Sequence, residues 1–269
     1  MNKTIGFIGA GNMAKAIIGG IINSKLIPSN NIFVSNPSDE KLIDLKNTYK
    51  VKITNDNIKV AKSANILFLS VKPDKYSEVI EEIKDEVKED VIVVTIAAGI
   101  DIATTQKEFS KNIKVVRAMP NTPALVGEGM TALMPSNEIT DIEFEEVKSI
   151  FESFGKAEVM DESLIHAFTS ISGSSPAYVF MFIEALADGG VLQGMPREKA
   201  YKFASQAVLG SAKMVLETGI HPGELKDMVC SPAGTTIEAV EALEETKFRH
   251  SIMSAVRKCS EKSQRMSEK

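Results

Sequence analysis

An α/β domain followed by an all-α domain is the fold class that this 269-residue sequence predicts. Three features carry that expectation. Short apolar runs rich in Ile and Val alternate with amphipathic segments through the first half, the pattern of a mostly parallel sheet covered on both faces. A glycine-rich turn, Gly9-Ala10-Gly11-Asn12-Met13-Ala14, joins the first such run to the first helical one. Beyond Met160 the apolar period becomes helical and no strand pattern survives, so the domains are read as 1–160 and 161–269.

The first element, Lys3-Thr4-Ile5-Gly6-Phe7-Ile8, reads as a short buried strand, and Ile17, Ile18, Ile21 and Ile22 mark the helix after the turn. Strand, glycine turn and helix in that order are the context a dinucleotide fingerprint needs. Gly9 permits the tight turn, Gly11 admits the pyrophosphate to the backbone, and Ala14 lets helix and strand pack closely. The first domain is therefore read as Rossmann-type and dinucleotide-binding. The second strand, Asn31-Ile32-Phe33-Val34, ends at Ser35-Asn36-Pro37, where an NAD-selective site usually carries an acid. With no acid to repel a 2′-phosphate, and with Ser35, Asn36 and Ser38 as neutral donors, NADPH is the expected cofactor and NADH the alternative. Asp39 lies close by, where it could meet the ribose, but reads first as part of the opening turn of the next helix.

Further strands follow over 65–69, 91–96 and 113–116. In an open α/β sheet ligands gather at the carboxyl ends of strands. The candidate loops there are Ser70-Val71-Lys72-Pro73, Ala97-Ala98-Gly99 and Arg117-Ala118-Met119-Pro120-Asn121-Thr122-Pro123. A last strand pair, around 130–134 and 157–159, brackets a helix over 141–154 and closes the domain.

In the second domain helices are expected over 163–171, 176–192, 197–216, 224–229, 236–243 and from 247 to about 265, with the polar tail beyond Lys258 prone to fray. Apolar residues appear on more than one face of these helices, as in Tyr178-Val179-Phe180-Met181-Phe182-Ile183, which calls for a partner chain. Between two of the helices, Pro232 and Gly234 break the pattern. Thr235 followed by Glu238 reads as a capping box that starts the next helix. The free N–H groups of that helix end, with the hydroxyls of Thr235 and Thr236 beside them, suit the carboxylate of a small anionic substrate.

Composition excludes several alternatives. A net charge of −5 offers nucleic acid little attraction. No uninterrupted apolar run approaches the roughly 18 residues of a membrane helix, and the chain enters its first strand without a leader, so a cytoplasmic protein without a membrane partner is expected. Two cysteines, Cys230 and Cys259, and three scattered histidines give neither a disulfide framework nor metal-ligand spacing.

Taken together the motifs resemble pyrroline-5-carboxylate reductase. The likeness runs from Ile5 to about Ile252 through the glycine turn, Val71-Lys72-Pro73, Ala97-Ala98-Gly99, Met119-Pro120-Asn121-Thr122-Pro123, Ser172-Gly173-Ser174-Ser175-Pro176-Ala177-Tyr178, Ala187-Asp188-Gly189-Gly190 and the Ser231–Thr236 loop. The resemblance implies a pyrophosphate on Ala10, Gly11, Asn12 and Met13, and an adenosine ribose or its phosphate near Ser35, Asn36 and Asn57. It places the nicotinamide by Ser70, Val71, Lys72 and Pro73 and by Ala97 and Ala98. The substrate carboxylate falls on the backbone of Gly234, Thr235 and Thr236, with Ser231 shaping the loop. It sets the Thr236 hydroxyl near the substrate's ring nitrogen and turns Glu162, by itself an ordinary helix-start charge, toward the substrate. Ala233 departs from a second glycine common there in the family.

On that resemblance a cyclic imine bearing a carboxylate binds as the iminium, accepts hydride at its C=N carbon and becomes L-proline, in the last step of proline biosynthesis. Thr236 is the expected catalytic residue, and positioning does most of the work. Cys230 has no base to activate it as a nucleophile. The resemblance also implies a homodimer of interlocked helical domains, joined into a larger decamer-like ring. Two competitors remain. A related imine or hydroxy-acid dehydrogenase would carry a catalytic lysine on the first long helix, but 176–192 contains none. A non-catalytic NADP-binding sensor would not need the two threonines.

Overall fold

The computed structural model describes residues 3–267. It falls into two compact units, one comprising the chain up to Gly173 together with the segment from Ser260 on, the other Ser174–Cys259.

The first unit is built on an eight-stranded sheet: β1 (Ile5–Ile8), β2 (Ile32–Ser35), β3 (Lys52–Thr54), β4 (Ile66–Leu69), β5 (Ile92–Thr95), β6 (Lys114–Met119), β7 (Gly129–Pro135) and β8 (Gly155–Val159). Their spatial order is β3-β2-β1-β4-β5-β6-β7-β8. All neighbours run parallel except β6 and β7. Strand β3 escapes the apolar pattern because it is a three-residue edge with an exposed lysine at its start. The antiparallel β7 follows from the tight connection after β6, where Thr122–Val126 forms a 3-10 turn. Such a turn is too short for the crossover a parallel partner needs.

One face of the sheet is covered by α1 (Asn12–Asn23), α2 (Asp39–Tyr49) and α6 (Asp141–Glu152), the other by α3 (Asn57–Ser63), α4 (Tyr76–Ile83) and α5 (Ile102–Phe109). Phe7 and Phe68 stack at 4.7 Å on the first face, and Phe151 of α6 closes over Phe68 at 5.9 Å. The register puts Ile8 level with Ser35 on one side and Leu69 on the other. The carboxyl ends of β1, β2 and β4 therefore lie abreast, the chain passing from β1 to β2 and β3 on one side and returning to β4 on the other. That is the crevice in which open α/β sheets bind dinucleotides.

After β8 the chain enters a 3-10 turn (Glu162–Leu164), α7 (Ile165–Phe168) and a π-helical turn (Thr169–Gly173). A uniform helix was expected here. The wide turn carries the buried Ser170 and is tied down by Asn121, whose amide donates to Ser172 O at 3.1 Å.

In the second unit α8 (Ser175–Leu192) and α9 (Arg197–Thr218) are followed by α10 (Pro222–Val229), α11 (Thr235–Glu245) and most of α12 (Phe248–Ser267). Helices α8 and α9 approach through small residues: Ala187, Ala200 and Ala204 are buried, and a Cβ on Gly190 would lie 3.4 Å from that of Ala200. Large apolar residues are left outside, among them Phe180, Met181, Leu192, Phe203, Leu216 and Met253. The polar tail expected to fray is helical through Ser267, with His166 Nδ1 and Ser263 Oγ at 2.9 Å. One stretch is more apolar than a count of uninterrupted apolar residues suggests. The segment Glu162–Leu192 is long and apolar enough to cross a membrane by length and composition alone. Counting uninterrupted apolar residues passed over it because Ser, Gly, Glu184 and Asp188 break the run without removing its apolar character.

Candidate active site

Gly9 sits at φ +101°, a conformation that side chains with a Cβ resist, and a Cβ there would stand 2.6 Å from Ser70 O. Its N–H donates to Ser35 O at 2.9 Å, and Ser70 N–H donates to Ile8 O at 2.8 Å, so the ends of β1, β2 and β4 are stitched together at this glycine. Gly11 is the opposite case. A Cβ on it would meet nothing within 4 Å, and it forms the N-cap of α1 with no side chain closing that helix end. The backbone of Asn12 and Met13 thus opens onto free space at the positive end of a helix, a cradle suited to a pyrophosphate. Ala10 is braced from behind, its N–H donating to Asn36 Oδ1 at 3.1 Å.

The ribose candidates differ from one another. Ser35 is fully buried, and its hydroxyl donates to Asn57 Oδ1 at 2.8 Å. Its hydroxyl is therefore turned inward and is not the open donor expected from sequence, and its carbonyl accepts the Gly9 N–H. Asn36 is exposed at its amide nitrogen, which donates to Ser38 O at 3.2 Å. Asn57 donates to Glu82 Oε2 at 2.7 Å. Asp39 opens α2, as expected, and accepts from Asn55 at 2.7 Å.

At the carboxyl end of β4 the Ser70 hydroxyl is buried with no hydrogen-bond partner among the described residues. A polar ligand group at this strand end would satisfy it. Val71 is half-buried, and Lys72 and Pro73 are exposed beside it. One strand over, Ala97 is buried and Ala98 exposed, with Ala97 N–H held by Thr95 Oγ1 at 3.4 Å. These residues fit a nicotinamide cofactor.

Glu162 takes a place that sequence did not foresee. It opens the 3-10 turn after β8, but its carboxylate reaches a different helix: Oε1 accepts from Ile102 N–H, the first of α5, at 3.1 Å, and from Arg117 Nη1 at 2.7 Å. Arg117 was read only as part of a loop after β6, whereas it lies inside the strand and is 4% exposed. The available signal was a cation within an otherwise apolar strand. Asp101 caps the same helix through Thr104 N–H at 2.7 Å. Partial burial pushes its carboxyl upward, but the Thr104 bonds and the charge of Arg117 outweigh this and hold it below the ordinary carboxylate range.

In the second unit the loop from Cys230 to Thr236 is exposed or half-buried. The capping box expected at Thr235 is absent. Gly234 is the N-cap, at φ −85° and ψ 167°, and Thr235 is already the first helical residue of α11 with no side chain closing the end. The cause is the turn before it, in which Gly234 N–H donates to Ser231 O at 3.0 Å. This turn starts the helix one residue early and leaves the N–H groups of Thr235, Thr236 and Ile237 unclaimed by a cap, a better carboxylate site than a capped end offers. Ala233 lies at φ +54°. A glycine fits that left-handed position without penalty, whereas alanine pays about 1–2 kcal/mol.

Comparisons with known proteins show which family the chain resembles. Residues 162–266 match the family model described as pyrroline-5-carboxylate reductase dimerisation, and residues 4–99 match the one described as NADP oxidoreductase, coenzyme F420-dependent. The chain is 52% identical over 267 residues to the pyrroline-5-carboxylate reductase of Escherichia coli (strain K12), covering 99% of each. It is 42% identical to that of Methanosarcina acetivorans, covering 100% of this chain and 99% of the relative. Among solved structures, the pyrroline-5-carboxylate reductase of Coxiella burnetii superposes with a TM-score of 0.93 at 34% identity, covering 99% of both chains. The Plasmodium falciparum pyrroline carboxylate reductase with NADP bound gives 0.89 at 33% identity, covering 99% of this chain and 98% of that one. With matches of this extent in both halves, the chain belongs to the pyrroline-5-carboxylate reductase family.

Proposed function

We propose that the protein reduces 1-pyrroline-5-carboxylate to L-proline with NADPH. The observation that carries this reading is the uncapped amino end of α11, where three N–H groups and the Thr236 hydroxyl stand together for a small carboxylate. Gly9, Ala10, Gly11, Asn12 and Met13 would hold the pyrophosphate, and Asn36 and Asn57, with the Ser35 carbonyl behind them, the adenosine end. Ser70, Val71, Lys72, Pro73, Ala97 and Ala98 would line the nicotinamide. When bound, the cofactor supplies a hydride to the C=N carbon. Gly234, Thr235 and Thr236 would bind the substrate carboxylate and Ser231 would shape their loop. Thr236 would hydrogen-bond the ring nitrogen, which ends as the amine. Glu162, fixed through Oε1, would turn Oε2 to the substrate.

NADPH is favoured over NADH because no carboxylate ends β2. Division of labour at 160/161 and a homodimer made by the helical domain, with dimers assembling further into a ring, complete the proposal. The exposed apolar faces of α8 and α9 supply the motive for association. Supplying NADPH with pyrroline-5-carboxylate, beside a panel of keto and hydroxy acids, and following nicotinamide absorbance tests the reading. Oxidation of NADPH with the imine alone supports it, and turnover only with another substrate overturns it.

A further inference from the structure

Arg117 is a cation in the middle of a buried sheet. Its parallel neighbour in the register is Thr95, the last residue of β5 and the point from which the Ala97-Ala98 loop departs, and its antiparallel neighbour is Met134. Thr95 is fully buried and holds Ala97 N–H through its hydroxyl. On α4 and α5, Tyr76 Oη and Thr105 Oγ1 pair at 3.0 Å, both buried. The guanidinium is thus one member of a polar group enclosed between the sheet and α5. Its side chain is 5% exposed, against 32% for Glu162. Arg117 Nε finds no partner among the described residues.

Such a pair is a poor source of stability. Removing a guanidinium from water is costly, one carboxylate repays it only in part, and an apolar side chain of similar size commonly does as well. The pair does accomplish one geometrical task. A single oxygen, Glu162 Oε1, is shared between Arg117 and the first N–H of α5. The same contact fixes the end of the loop that starts at Thr95 and the orientation of the carboxylate, whose other oxygen is left uncommitted among the described residues.

We propose that Arg117 is a positioning residue for the reduction, acting through Glu162. It clamps one oxygen of that carboxylate so that the amino end of α5 is held and the second oxygen is presented to the substrate. The inference rests on the reductase reading above and on the place of Glu162 within it. Arg117 itself touches neither substrate nor cofactor.

The test is a double-substitution cycle on the full chain, using Arg117→Met, Arg117→Lys, Glu162→Gln and Arg117→Met/Glu162→Gln. The readouts are kcat and KM for the imine, NADPH affinity by fluorescence titration, and thermal melting. Misplacement of a reacting group on this scale lowers turnover on the order of 10- to 100-fold, so Arg117→Met should lose that much kcat while NADPH affinity stays within about 3-fold. Arg117→Lys, which keeps the charge but not the planar fork, should fall between wild type and Met. The double variant should be no slower than the slower single variant, because both act through one carboxylate. It should also melt no lower than Arg117→Met, since no charge is left buried alone. A merely structural pair would show the reverse, with lowered melting and preserved kcat in what remains folded. Multiplying losses in the double variant, or wild-type kcat in Arg117→Met, overturns the inference. If Arg117→Met does not fold, wild-type kcat in Arg117→Lys overturns it. Wild-type kcat in Glu162→Gln removes Glu162 from the substrate site and the route through it. A wild type that turns over no imine strikes the reductase reading itself, a pattern distinct from any of these.

Discussion

The hydroxyl of Ser231 fills the space where a side chain on Gly234 would begin: a Cβ there would stand 2.3 Å from Ser231 Oγ and 3.1 Å from Ser231 O. The two residues define one turn, and that turn sets where α11 starts. Gly234→Ala should force the turn open and lower kcat/KM for the imine by roughly 10-fold or more without changing NADPH affinity. Adding Ser231→Ala removes the nearer clash and should restore part of the loss. Steady-state kinetics on the single and double variants decides it, and an unaffected Gly234→Ala would detach this turn from the substrate site.

Thr235 and Thr236 should separate cleanly. Thr236→Ala is expected to reduce kcat/KM by roughly 10- to 1000-fold, because the lost hydroxyl is the one assigned to the reacting nitrogen. Thr235 makes no capping bond. Its replacement by alanine should therefore change stability by less than about 0.5 kcal/mol, the usual range for an exposed side chain, instead of the larger cost of a lost cap. Kinetics and chemical denaturation of both variants test the pair, and equal kinetic damage would mean the roles are misassigned.

Asn36→Asp keeps the acceptor that braces Ala10 N–H and adds a negative charge beside the adenosine end. Preference should move from NADPH toward NADH by about 1–3 kcal/mol. The ratio of kcat/KM for the two cofactors is the measurement. A wild type that already prefers NADH contradicts the reading of β2.

Asp101 predicts a pH dependence. Its folded pKa lies below the unfolded one, so the cap contributes its full stability above the ordinary carboxylate pKa and loses it as pH falls through the lower folded value. Asp101→Asn can still accept the Thr104 bond but does not titrate there. The stability advantage of wild type over Asp101→Asn should hold at neutral pH and shrink below about pH 4. Denaturation midpoints across that range check the sign, and an advantage that grows on acidification would refute it.

Complementation tests the assembly. If each site joins the nucleotide domain of one subunit to the Ser231–Thr236 loop of its partner, mixing inactive Gly11→Asp and Thr236→Ala chains should restore partial activity in heterodimers. Heterodimers confirmed by mass but without recovered activity would place each site within one chain.

The local chemistry was legible in the sequence because it depends on neighbours along the chain. Gly9 and Gly11 follow a strand and open a helix; Gly9 is held at a positive φ and crowded by Ser70, whereas Gly11 faces open space. The alternation of apolar strands with helices located seven of the eight strands, and β3 escaped because an edge of three residues carries too little pattern. The break between helices at Pro232 and Gly234 was legible, but the cap of the helix after it was misplaced. Thr235 and Glu238 have capping-box spacing, and only the Ser231–Gly234 turn determines that the helix begins one residue earlier.

What tertiary structure alone decided is the set of contacts between residues far apart in sequence. No spacing rule joins Arg117 to Glu162 or Asn121 to Ser172, because each pair meets only after the strands have chosen their order. The inward turn of the Ser35 hydroxyl is of the same kind, since it depends on Asn57 at the start of α3 being brought beside the end of β2. A chain's own sequence specifies which residues can supply a donor, a charge or a left-handed turn. Which of them are buried together is settled by packing, and burial is what makes a hydrogen bond or an ion pair matter energetically.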